Sequence, residues 1–272
     1  MIRLRTLSAT VSTALAVCLP FAAAHAHDVW LLPSSTVLSK PAWITVDGAA
    51  GNDKFHYNHA ALRVAPEALG ATAPDGTRIA AENLMQGKLR TVFDLNLTQT
   101  GTYRVNVVNS GISAMWKEGD QTKRFRGNAE AFARDVPANA AELRVSEGVS
   151  RIESFVTVGK PSALKAVGEG LELVPVTHPN DLFAGETATF AFHVDGKPAA
   201  GLEVVIIRGG NRYRDQLGEM KFTTDAEGKF SVKWPEAGQY WLDADAQDDK
   251  TTVKQAKERR LSYIGTLEVL PQ

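Results

Sequence analysis

Histidine is the residue type in this chain best suited to chemistry, and its placement is uneven. Four of the six histidines, His25, His27, His56 and His59, fall between positions 25 and 59. Imidazole nitrogens are ligands for late first-row transition metals, with geometry and metal availability deciding which one binds. The run His56-Tyr57-Asn58-His59 sets two rings three residues apart. That spacing brings them together on a turn or helical segment and separates them on a regular strand. The remaining two histidines read as structural, since His178 precedes Pro179 at a joint and His193 sits in an alternating strand. The single cysteine, Cys18, lies in the N-terminal apolar run, so no disulfide, thiolate nucleophile or thiolate metal site is expected in the mature chain.

The position of His25 and His27 matters because of what precedes them. Residues 1–26 run from a basic start (Arg3, Arg5) through an apolar stretch, Leu7 to Ala24, to small residues, the three parts of a cleaved secretory signal. The apolar stretch is shorter than the roughly 20 residues a membrane-spanning helix needs, so a soluble protein outside the cytoplasm, in the periplasm, is expected. Cleavage after Ala26 would make His27 the first residue, able to chelate through its α-amino group and its own ring, a histidine brace. Cleavage after Ala24 would begin the chain His25-Ala26-His27, with a histidine at position three for a square-planar Cu(II) or Ni(II) site. The candidate metal set is His27 with His56 and His59, and His25 in the alternative start. Asp28 is expected to orient a histidine rather than to bind metal.

Composition narrows the function classes. Lys+Arg 30 against Asp+Glu 31 gives a net charge of −1, which argues against a nucleic-acid footprint. No serine has the context of a nucleophile elbow, and Asp248-Asp249 needs no catalytic explanation. The stretch Arg208-Gly209-Gly210-Asn211-Arg212-Tyr213-Arg214 reads as an exposed loop. Lys123-Arg124-Phe125-Arg126 and Arg259-Arg260 read as solvated strand or loop faces, with partner docking open to them.

The elements that must position these residues are strands. Short β-branched and aromatic runs alternate with turn signals such as Asp47-Gly48, Pro74-Asp75-Gly76 and Asn109-Ser110-Gly111. Leu89, Thr91, Phe93, Leu95 and Leu97 share one face of a run, and Tyr103, Val105 and Val107 share one face of the next. The two are expected to be adjacent strands of one sheet. Only Asn128 to Asp135 and Asn139 to Val145 read as short helices, so the class is all-β. The domain reading is a signal peptide over 1–26, a β-sandwich over 27–168 and a second β-sandwich over 169–272, with the joint in the Gly/Lys/Pro stretch 159–170. The C-terminal half carries Gly196-Lys197-Pro198-Ala199-Ala200-Gly201, Thr224-Asp225-Ala226-Glu227-Gly228-Lys229-Phe230 and Pro235-Glu236-Ala237-Gly238-Gln239-Tyr240. In these motifs it resembles the Ig-like, transthyretin-like and carboxypeptidase-regulatory-like sandwich modules, which implies binding or spacing rather than catalysis.

A broader resemblance rests on His27-Asp28-Val29-Trp30-Leu31 after the signal, Leu171-Glu172-Leu173-Val174-Pro175 with His178-Pro179, Asp195-Gly196-Lys197-Pro198 and Thr224-Asp225-Ala226-Glu227-Gly228. In these the chain is similar to a family of exported bacterial proteins of unknown function described as nickel- or cobalt-uptake accessory proteins. The resemblance implies a periplasmic metal-handling protein that works with an outer-membrane receptor or an inner-membrane transporter; no catalytic residue is assigned. The expected metal ion is Ni, Co, Cu or Zn. Two other classes compete with it: a copper histidine-brace oxidative enzyme, and an exported binding or adhesion module without metal.

Overall fold

The computed structural model describes residues 28–272. The signal-peptide reading and the candidate ligands His25 and His27 therefore lie outside the described residues. In chain order the N-terminal half forms β1 (Asp28–Pro33), β2 (Val37–Leu38), β3 (Ala42–Gly51), β4 (Ala60–Ala61), β5 (Gly70–Thr72) and β6 (Arg78–Ala80). It continues with β7 (Glu82–Gln86), β8 (Thr91–Leu97), β9 (Gly101–Glu118), β10 (Gln121–Gly127), helix α1 (Ala129–Asp135) and β11 (Ala141–Val158). The C-terminal half adds β12 (Leu171–Pro175), β13 (Thr187–Val194), β14 (Lys197–Pro198), β15 (Glu203–Arg208) and β16 (Met220–Thr223). It closes with β17 (Lys229–Lys233), β18 (Gly238–Asp248) and β19 (Ala256–Val269). The protein is all-β, as expected.

The strands make three sheets. One contains β1, β3, β4, β7 and β8; another contains β12, β13, β14 and β17; the third is ten-stranded and runs β16-β15-β18-β19-β11-β9-β5-β6, with β10 and β2 on its sides. The large sheet is common to both sandwiches, because β11 pairs in parallel with β19 from Val145↔Ala256 to Ser154↔Thr266. Strand alternation then feeds two cores from the same backbone. Ile207, Trp241, Ile264, Ile152 and Val156 face the N-terminal core with Trp30, Phe93 and Tyr103. Ile206, Tyr240, Leu242, Tyr263 and Phe155 face the C-terminal core with Phe190, Phe192 and Trp234. A third, small core of Ile112, Ala114, Phe132, Val136, Val145 and Ala256 holds α1 against an extension made by β10 and the adjoining parts of β9 and β11.

Three expectations change. The runs 91–97 and 101–108 are not neighbours in one sheet: β8 pairs with β3 and β7, whereas β9 pairs with β5, β10 and β11. Their apolar faces meet across the core instead, and the alternation that identified each run holds for either arrangement. The helix expected at 128–135 forms, capped by Asn128, whose side chain accepts from the Ala131 N–H at 2.8 Å. The helix expected at 139–145 does not form, because β11 begins at Ala141 and pairs with Lys117 of β9. Arg259 is no solvated side chain either; from β19 it bonds the carboxylate of Asp248 on β18 at 2.5 Å and that of Asp195, in the turn between β13 and β14, at 2.7 Å. That double pairing holds both carboxyls below the usual range, with Arg259 the largest cause for each.

The joint at 159–170 contains no strand and is tied down by buried charge. Glu153 is fully buried and accepts from Arg104 at 3.4 Å, Arg151 at 3.2 Å and the Tyr263 hydroxyl at 3.1 Å. The two arginines also donate to the Lys165 and Glu169 carbonyls at 3.2 and 3.1 Å. The buried Glu172 carboxylate accepts the Val167 and Gly168 N–H groups. His178 is likewise built into this joint, with Nε2 2.9 Å from the Thr102 hydroxyl and Nδ1 accepting the Asn180 N–H at 3.2 Å. Burial lowers its pKa. No helix among the described residues is long and apolar enough to cross a membrane.

Candidate functional site

His56 and His59 lie in the loop 52–59 that joins β3 to β4. The loop folds back on itself: the His56 N–H donates to the Asp53 carbonyl at 3.1 Å, and the Asn58 side-chain amide donates to the Asp53 carboxylate at 3.1 Å. Its aromatic residues anchor it to the N-terminal core, with the Trp30 ring 5.9 Å from Phe55 and 6.3 Å from Tyr57. Burial and the neighbouring Asp47 push the Tyr57 hydroxyl up to about 12. Trp30 is fully buried, while Trp43 stands 52% exposed on the outer side of β3.

A loop of the other sandwich completes the site. The stretch 208–214, expected to be exposed, sends Asn211 inward: its side-chain carbonyl accepts the Lys54 N–H at 2.8 Å and its amide reaches Asp53 at 3.4 Å. Gly209 makes this contact possible, since a Cβ there would stand 2.7 Å from the Phe55 ring. Arg212 then meets His56, its guanidinium bonded to Nε2, so the imidazole offers that nitrogen as an acceptor to a cation. Arg214 is spent on the carbonyls of Arg208, Gly209 and Leu217.

Lys54 is the hinge of the region. Its ammonium is almost fully buried, ion-paired with Asp28 and 4.5 Å above the Trp241 ring. The Trp241 indole in turn donates to the Val29 carbonyl at 2.9 Å. The start of β1 is thereby held at two points, Asp28 by Lys54 and Val29 by Trp241. On one side of Lys54 opens a cavity of about 500 Å³ lined by His56, Arg212, Tyr213, Gln239 and Glu268. On the other lies a cleft of about 230 Å³ lined by Asp28, Trp241, Asp243, Asp245, Glu203 and Glu219. Burial, then repulsion from Asp245 and Asp28, raises the Asp243 carboxyl to about 7.

Of the candidate ligands, the structure places His56 at the large cavity, whereas His59 is exposed and outside that lining. Asp28 bonds a lysine, where the sequence suggested a histidine. Among the described residues no group of three His, Cys, Asp or Glu side chains is placed to hold a metal ion. Sequence reasoning missed Lys54, Asp243 and Arg212. The signal available was a lysine between Asp53 and Phe55 in a loop and an Asp-x-Asp on an alternating strand, both of which look like ordinary solvated charge.

The family described as "Domain of unknown function (DUF4198)" matches residues 24–248, and the chain belongs to that family. No curated protein matches. Among solved structures, the D0-D1 domain of intimin shares 12% identity at a TM-score of 0.23, over 88% of this chain and 97% of that one. The Escherichia coli adhesin FdeC shares 14% at 0.21, over 89% and 63%. The FN1-FN3 domains of chicken CNTN1 share 7% at 0.23, over 88% and 97%.

Proposed function

We propose that this DUF4198 protein is an exported metal-capture protein, an accessory to transition-metal uptake, that takes nickel, cobalt or a similar ion as cargo where β1 begins. The observation that carries the reading is the clamping of Asp28 by buried Lys54. It fixes Asp28 at the start of β1: Asp28 lines the Asp243 cleft, and Lys54 lines both that cleft and the His56 cavity. An N-terminal amine and imidazole at His27 would stand one peptide unit from that point, about 3.8 Å between Cα atoms. The proposed donor set joins His27 to His56, the imidazole donor at the large cavity. His59, exposed and outside the His56 cavity, and His25 under the alternative cleavage are further candidate donors from the same stretch of sequence. Release of the ion to a membrane transporter or receptor completes the role, and no catalysis is required.

The contact between Arg212 and His56 gives this reading a specific test. Binding a metal at Nε2 must break that hydrogen bond, which involves a charged donor and an exposed pair, so Arg212→Ala should tighten metal binding by about tenfold. The experiment is intact-mass analysis of the mature protein from the periplasm, followed by calorimetric titration with Ni(II), Co(II), Cu(II) and Zn(II). The expected result is a chain starting at His27 or His25 with one ion, bound more tightly in Arg212→Ala and lost in His56→Ala. A chain with another start, or one that binds none of the four ions, would sink the proposal. The cavity of about 500 Å³ beside the exposed Tyr213 would then favour a metal-free binding module for an organic ligand.

A further inference from the structure

We infer that the extension formed by β9, β10 and the start of β11 is a docking face for an anionic membrane surface. Register defines the face. Arg124 of β10 stands opposite Met115 of β9, and Met115 stands opposite Arg144 of β11. Two residues along, Arg126 pairs with Ser113, and in the other direction Thr122 pairs with Lys117. Side chains alternate across a strand, so Lys117, Arg124, Arg126 and Arg144 share one side of the three-stranded extension. The opposite side carries Ile112, Ala114, Trp116, Phe125 and Val145 and is covered by α1.

Arg124, Arg126 and Arg144 are exposed, and Lys117 is half-buried. None of the four takes part in an ion pair among the described residues. The nearby acids are placed or paired otherwise: Glu118 pairs with Lys123 at 3.2 Å on the covered side, Asp120 is in the hairpin turn, Glu142 sits in the bulge where β11 shifts register, and Glu258 of the adjoining β19 is taken by Arg260 at 2.5 Å. The whole chain has a net charge of −1, so this concentration of positive charge is local.

The shape of the array selects the partner. Strand spacing puts Arg124 and Arg144 about 10 Å apart, and two residues along a strand span about 6.8 Å, so the cations form a flat two-dimensional lattice. A plane of anionic headgroups matches that lattice. A single-stranded nucleic acid would need aromatic side chains on the same face to stack its bases, and the aromatics here, Trp116 and Phe125, are on the other side. An acidic peptide would want a groove, and this face is the surface of a single sheet.

The test is co-sedimentation of the mature protein with vesicles of phosphatidylcholine containing about one quarter phosphatidylglycerol, and with phosphatidylcholine alone. The protein should pellet only with the anionic vesicles and be released at about 0.5 M NaCl, where screening is strong. Each cation near the surface contributes about fivefold, so Arg124→Glu/Arg144→Glu should weaken binding by at least about 25-fold. Lys229→Glu/Lys233→Glu makes the same charge change on β17 and should leave binding within about twofold of wild type. Failure of the wild type to pellet, indifference to the Arg124/Arg144 reversal, or equal loss in the β17 variant would each overturn the inference. Thermal melts of both variants establish that the fold is retained.

Discussion

Tyr103 and Tyr240 occupy matching corners of the two sandwiches. Each lies two residues after a glycine at positive φ, Gly101 at 130° and Gly238 at 141°. Each hydroxyl donates to the carbonyl four residues upstream, Gln99 at 2.9 Å and Glu236 at 2.7 Å. The cores behind these corners differ. The C-terminal core concentrates its rings at the centre, with Phe192 stacked on Phe230 at 5.9 Å and edge-on to Tyr263 at 5.2 Å. The N-terminal core is largely aliphatic, and its Trp30 spends its ring contacts on Phe55 and Tyr57 of the histidine loop. The same local device thus closes both units, while the aromatic residues of one stabilise its interior and those of the other hold a loop in place. The candidate site lies where the two units meet, and it uses what they do not share.

The largest expected effect tests whether the two sandwiches are one cooperative body. Replacing Glu153 by Gln leaves Arg104 and Arg151 buried without their counter-charge, a change that costs about 3–5 kcal/mol. Urea unfolding followed by both near-UV and far-UV circular dichroism should show a single transition at lower midpoint. Two separated transitions would break the picture of one common sheet.

A smaller effect belongs to the cleft. Asp243 keeps its proton to about pH 7 in the folded protein against a usual value of 3.8. The folded state therefore binds more protons than the unfolded state across that interval, and its stability falls as pH rises through it. Asp243→Asn should remove this slope and raise stability at pH 8 by on the order of 1–2 kcal/mol, after allowance for solvent in the cleft. Thermal melts from pH 4 to pH 8 measure it, and a slope unchanged in the variant would assign the pH dependence to other groups.

The smallest effect sharpens the comparison itself. Tyr103→Phe and Tyr240→Phe each remove one hydroxyl bonded to a backbone carbonyl, costing about 1 kcal/mol apiece. Equal losses in chemical denaturation would establish the corners as equivalent. A loss confined to one of them would show that the resemblance is only geometric.

The amino-acid sequence by itself determined the strands, the turns and the faces. Alternation marked Phe93, Leu95, Tyr103 and Val105 as inward-facing, and all four are buried. The short helix read over Asn128 to Asp135 forms, with Asn128 as its cap. The clustering of histidines drew attention to loop 52–59, which does line a cavity. Only the tertiary structure decided which strands pair and which charges meet. Periodicity records that a residue faces inward and is silent about what it faces, so 91–97 and 101–108 could not be assigned to opposite sheets. The parallel pairing of β11 with β19 joins residues more than a hundred positions apart, and nothing local encodes it. Lys54 illustrates the limit most directly. Its burial depends on Asp28, Trp241 and Asn211, drawn from three distant segments, and a buried ion pair exists only once all of them have closed around it.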